Sequence, residues 1–79
     1  MNFFVYVLSD NSGRLYKGMT NNLERRLKEH TRGKTKTTRN MENVKVVYKE
    51  IYKNRQDARK RELYLKSAAG RRFLKKVLN

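Results

Sequence analysis

The chain has 79 residues, and 21 Lys or Arg against 7 Asp or Glu leave it at a formal +14. A chain this short supports one core, so residues 1–79 are expected to form a single domain, and 37% hydrophobic residues with no proline suffice to build it despite the charge. The absence of cysteine excludes a disulfide framework and a thiolate zinc site, leaving burial of Phe, Tyr, Leu and Val to hold the fold.

Phe3 to Leu8 is a continuous aromatic and β-branched run without helical spacing, which predicts a strand buried on both faces. It is too short for a signal peptide or a membrane span, so a soluble, cytoplasmic protein that does not bind membranes is expected. Ser9 to Gly13 is turn chemistry, and Arg14 to Met19 reads as a second strand that closes an antiparallel hairpin, bringing Tyr6 and Tyr16 near each other. A helix is predicted from about Asn22 to Thr31, capped by Asn21 with Glu24 three residues on, and ended at Gly33. Its core stripe is Leu23 and Leu27, with Arg26 and His30 at the edge of the same face.

Residues 33–43 form a polar loop rich in Lys and Thr. Val44 to Tyr52 predicts a third strand. Asn54 and Asp57 open a second helix that reaches about Ala69, where Gly70 interrupts it, and a short helix from Arg71 to Leu78 follows. Glu62 shares a face with Ala58, Leu65 and Ala69, an unexpected place for a carboxylate. The expected fold is therefore α/β: a small three-stranded antiparallel sheet flanked by helices, in the order β-β-α-β-α-α.

So many cations repel one another in a compact state, and a polyanionic partner accounts for them. Nucleic acid fits best, because each phosphate neutralised releases counterions. The most basic stretch, Lys53 to Lys76, holds ten Lys or Arg and two acids without the broad apolar face a membrane helix needs. In the polar loop Lys34, Lys36, Thr38 and Arg39 are placed to follow a phosphate backbone, and no element is evident that reads bases.

Counting removes several chemistries. The seven acids are too dispersed for a two-metal centre, and one histidine cannot make a His-metal finger. Residues for Ser-His-Asp or Cys-His nucleophiles are lacking, as is a phosphate-cradling Gly-rich loop. What remains is a set of polar residues on core-facing positions: Tyr6, Tyr16, Arg26, His30 and Glu62. One carboxylate can anchor a single divalent cation, an Arg can neutralise charge growing on phosphorus, and a Tyr can take a proton from water if its high pKa is lowered.

These residues carry a family resemblance. Phe4-Val5-Tyr6 stands where the GIY-YIG nuclease superfamily has Gly-Ile-Tyr, and Tyr16-Lys17-Gly18 where it has Tyr-Ile-Gly. The segment Met19 to His30 is similar to the family's helix, with Arg26 matching its catalytic Arg and His30 the site one turn later. Glu62, in Lys60-Arg61-Glu62-Leu63-Tyr64, looks like the metal-binding Glu. The chain resembles small stand-alone members, related to the N-terminal catalytic domain of the bacterial excision-repair endonuclease. The first motif departs from the family in lacking its Gly and Ile, Thr37 stands where such members often have Tyr, and the closing Asn has no counterpart near Gly70.

The resemblance implies a Mg²⁺- or Mn²⁺-dependent DNA endonuclease. Glu62 would hold the one metal, Arg26 would face the phosphate, and Tyr6 or Tyr16 would meet the water with His30 assisting. Gly18, Lys34, Lys36, Thr38 and Arg39 would touch nucleic acid. The rival expectation is a non-catalytic nucleic-acid-binding module on the same fold, recruiting a protein partner for specificity, and a third is a protein that prefers RNA.

Overall fold

A computed structural model describes residues 1–32 and 43–78. Its elements are β1 (Phe3–Ser9), β2 (Leu15–Thr20), α1 (Leu23–Thr31), β3 (Lys45–Tyr52), α2 (Arg55–Lys66) and α3 (Ala68–Leu78). The strands form one antiparallel sheet in the order β2-β1-β3. The predicted order and sheet are thus observed, with β1 in the middle. Val5, Tyr6, Val7 and Leu8 are fully buried, as the unbroken apolar run implies.

The β1–β2 turn sets the register. Asp10 accepts from the amides of Ser12 and Arg14 at 3.0 and 2.8 Å, from the Ser12 hydroxyl at 2.9 Å and from Arg14 Nε at 2.8 Å. Burial pushes this carboxyl up, but those bonds and the Arg14 charge outweigh it and hold the pKa at about 2. The resulting register pairs Tyr6 with Gly18 and Leu8 with Tyr16 on one face, and Val5 with Met19 and Val7 with Lys17 on the other.

The second face carries the core, in which Val5 and Val7 pack with Ala58, Leu65 and Leu74. Each large apolar side chain buried there contributes roughly 1.5–3 kcal/mol. α2 is also held to β3 by a polar clamp. The Glu50 carboxylate accepts from the hydroxyls of Tyr48 and Tyr52 and from Arg61 Nε and Nη2 at 3.0 and 3.1 Å. Arg61 in turn stacks over Tyr64 and Phe73. The clamp fixes the rotation of α2, which turns Ala58, Glu62 and Leu65 inward.

The helical break differs from the expected one. It lies at Ser67, whose backbone is extended, while Gly70 sits inside α3. The Ser67 hydroxyl donates to the Tyr64 carbonyl at 2.5 Å and accepts from the Gly70 amide at 3.2 Å, so it serves the end of one helix and the start of the next. Gly70 is there for proximity: a Cβ would lie 2.0 Å from the Tyr64 carbonyl oxygen and 2.4 Å from Leu65 Cα. Among the described residues no helix is long and apolar enough to cross a membrane.

Candidate functional site

α1 lies over the Tyr6 face of the sheet. The chain leaves β2 at Thr20, whose hydroxyl oxygen accepts from the Asn22 amide at 3.1 Å. This places Asn22, and not Asn21, as the cap: its side-chain oxygen accepts from the Arg25 amide at 3.0 Å, and Glu24 stands one position too early for the expected reciprocal bond. The helix runs Leu23–Thr31 with Arg32 as its C-cap, and the expected stop at Gly33 lies outside the described residues. Leu23 and Leu27 are only half-buried, and the buried residue of this helix is His30. The most buried contact of α1 with the sheet is therefore polar.

Four of the five predicted catalytic residues come together here. Tyr6 Oη lies 3.0 Å from His30 Nε2. The Tyr6 and Tyr16 rings are 6.2 Å apart between centroids, and Tyr16 meets His30 edge-on at 4.8 Å. Arg26 holds Glu29 through Nη1 at 2.9 Å, and its charge stands near the hydroxyls of both tyrosines. The Glu29 bond first, then the two tyrosines, raise the guanidinium's pKa, so it stays charged.

Electrostatics separates the roles within this cluster. Tyr6 is fully buried, and burial pushes its pKa up to about 12 despite Arg26. Burial also lowers the pKa of His30, and the nearby Arg26 charge lowers it further. Both are thus neutral at neutral pH, and the Tyr6 hydroxyl and the imidazole Nε2 share one hydrogen bond. Tyr16 is half-buried. Gly18 makes the arrangement fit: a Cβ at this position would stand 2.6 Å from Tyr6 Oη and 3.0 Å from Tyr16 Cε1.

Glu62 is placed differently. It projects from α2 toward the Val5/Val7 face and is 7% exposed. Its two oxygens accept from Arg59 Nη1 at 2.8 Å and Lys66 Nζ at 3.2 Å, and none of the four residues over the opposite face is bonded to it. The two groups adjoin the same edge strand. Tyr16 and Gly18 face α1, whereas Lys17 faces α2 and α3, where the charges of Arg71 and Lys66 act on it. Sequence reading passed over Lys17; its position between Leu15 and Met19 on the core-facing side was the available signal. Lys34, Lys36, Thr38 and Arg39 lie outside the described residues.

A divalent cation suits Glu62 only as a single-carboxylate ligand. Among the described residues no group of three or more His, Cys, Asp or Glu could enclose a metal. The carboxylate is held by Arg59 and Lys66, whose side chains are 57% and 48% exposed. A hydrated Mg²⁺-type ion would have to displace Arg59 or Lys66 there and take its other oxygens from water and phosphate.

Relatives share this architecture. Residues 2–76 match the GIY-YIG catalytic domain family. A UPF0213 protein of Clostridium perfringens is 45% identical over 64 residues, which cover 80% of this chain and 69% of that protein. A UPF0213 protein of Staphylococcus epidermidis is 35% identical over 75 residues, covering 94% of this chain and 92% of that one. The solution NMR structure of a UPF0213 protein from Bacillus halodurans, 30% identical, aligns with a TM-score of 0.60 over 98% of this chain and 85% of its own. The match in sequence and in fold runs through both tyrosine strands, α1 and α2, and the chain belongs to the GIY-YIG catalytic domain family, a family of nucleases.

Proposed function

We propose that the protein is a DNA endonuclease that hydrolyses phosphodiester bonds with one divalent cation, Mg²⁺ or Mn²⁺. The observation that carries this reading is the convergence of Tyr6, Tyr16, Arg26 and His30 beside the outer strand of the sheet.

Each side chain has a role that its surroundings support. Arg26 is fixed by Glu29 and partly exposed, so it can turn its remaining donors to a phosphate and stabilise charge growing there. Tyr6 stays protonated and is fully buried, which makes it a positioning residue: it holds His30 in place. Tyr16, half-buried, is then the hydroxyl that meets the attacking water and relays its proton, giving up its own as it takes the water's. His30, neutral and edge-on to Tyr16, is the adjacent proton acceptor. Gly18 keeps the strand clear of both rings. Glu62 would hold the cation, which supplies Lewis-acid neutralisation of the phosphate. Lys34, Lys36, Thr38 and Arg39 are, by their place in the sequence, the proposed further contacts to phosphates.

The rival reading, a nucleic-acid-binding module without catalysis, draws on one observation: both Glu62 oxygens already carry cationic side chains. Supercoiled, branched and single-stranded DNA, and RNA of the same shapes, incubated with Mg²⁺ or Mn²⁺ distinguish the two. The endonuclease reading expects nicking of DNA by the wild type and none by Glu62→Ala purified in parallel. Salt-sensitive binding without cleavage under either metal supports the rival, and equal cleavage by both proteins removes Glu62 from the mechanism.

A further inference from the structure

Three cations from three elements lie on the side of β2 that faces away from the tyrosine cluster. Lys17 projects from the outer strand, opposite Val7, onto the face covered by α2 and α3. Lys66 is the last residue of α2, and Arg71 follows in α3, its Nη1 donating to the Lys66 carbonyl at 3.4 Å. The carboxylate nearby is Glu62, which Lys66 shares with Arg59. Together Lys17, Arg59, Lys66 and Arg71 bring four positive charges to one negative. Burial first, then the charges of Arg71 and Lys66, lowers the pKa of Lys17.

The fold does not ask for this. Met19, on the same side of the strand, packs against the core, and an apolar residue at position 17 would lie beside it. Clustered cations with too few anions destabilise the compact state and bind a polyanion. The cluster also adjoins the strand that carries Tyr16 and Gly18, so one phosphate chain crossing that edge passes from one set of side chains to the other.

We infer that Lys17, Lys66 and Arg71 form a phosphate-binding subsite for the nucleic-acid backbone, which holds phosphates flanking the one presented to Arg26 and Tyr16. The inference rests on the nucleic-acid reading above and adds to it the path of the strand over the β2 edge. Lys17 and Arg71 act in binding and not in the chemical step.

The test is equilibrium binding of a fluorescent DNA duplex in EDTA, where no cleavage occurs, across a range of salt. Each lost phosphate contact reduces the slope of log K against log[salt] by about 0.9. Lys17→Ala/Arg71→Ala is expected to lower the slope by about 2 and weaken binding at least about tenfold at 0.1 M salt. Lys53→Ala/Lys76→Ala, which removes two exposed cations elsewhere, leaves the slope nearly unchanged, and Lys17→Arg binds as the wild type does.

The double variant melts at or above the wild-type temperature, because like-charge repulsion is relieved. Lys17→Ala alone, with a slope lower by about 1, answers if the double variant fails to fold. Equal losses in the cluster and control variants overturn the subsite, as does an unchanged slope in Lys17→Ala. A wild type that binds with this cluster-dependent slope but never cleaves overturns the endonuclease reading and keeps the subsite. One that cleaves with a slope indifferent to the cluster does the reverse.

Discussion

Gly18→Ala adds one methyl group to the tightest point of the site. The new Cβ would lie 2.7 Å from Tyr6 Cζ, whereas carbon atoms rest at about 3.5 Å, so the ring has to retreat by about 0.8 Å. Tyr6 cannot yield freely: it is fully buried, it belongs to the central strand, and its hydroxyl is 3.0 Å from His30. Overpacking of this kind costs about 1–3 kcal/mol, and weakening the buried hydrogen bond adds about 1 kcal/mol. Replacing glycine in a strand returns up to about 1 kcal/mol. The expected net loss is about 2 kcal/mol, a fall in Tm of roughly 8–16 °C for a domain of this size.

Urea and thermal unfolding of Gly18→Ala, Tyr6→Phe and the double variant measure it. Because Tyr6→Phe removes the atom closest to the new Cβ, Gly18→Ala should cost about 1 kcal/mol less in that background. A variant as stable as the wild type, or an equal cost in both backgrounds, would mean that Gly18 is merely a bend in the strand.

Other outcomes follow from the same contacts. Gly70→Ala should destabilise by about 2 kcal/mol in urea unfolding despite its better helix propensity, because the clash is with backbone; a gain of about 1 kcal/mol would show α3 free to shift. Asp10 and Glu50 are both held below their ordinary values, because their hydrogen-bond and cationic partners outweigh burial. The stability they contribute is complete above their unfolded pKa values and is lost as pH falls through the folded ones, so acid unfolding should begin below about pH 4.5 and weaken in Asp10→Asn. Tyr6 has the opposite sign: its contribution is complete below about pH 10 and lost as pH rises through about 12. Phenolate absorbance should show Tyr6 and Tyr52 ionising last, and Tyr6→Phe should remove one of these late steps.

Local pattern made much of this legible. The run Phe3 to Leu8 could only be a doubly buried strand, and Glu62 stands out on the Ala58–Leu65 stripe by its helical spacing alone. What escaped depends on partners distant in sequence. Asn22 caps α1 because the Thr20 hydroxyl turns the chain there, and the Leu23/Leu27 stripe yields to His30 because the opposing sheet face offers Tyr6 and Tyr16. Gly70 looked like a helix stop, yet its role is the approach of α3 to Tyr64 and Leu65. Lys17, Lys66 and Arg71 are spread over 55 positions, and only the packing of α2 and α3 against the sheet gathers them.

The central claim is that Arg26 acts on a phosphate undergoing cleavage. Its most direct measurement is the single-turnover cleavage rate at saturating DNA and Mg²⁺ for wild type and Arg26→Ala, with Kd determined on the same preparations. The account predicts a rate lower by about 10²–10³-fold, the usual cost of removing a group that stabilises transition-state charge, with Kd changed by less than about tenfold. A variant that cleaves as fast as the wild type would contradict it.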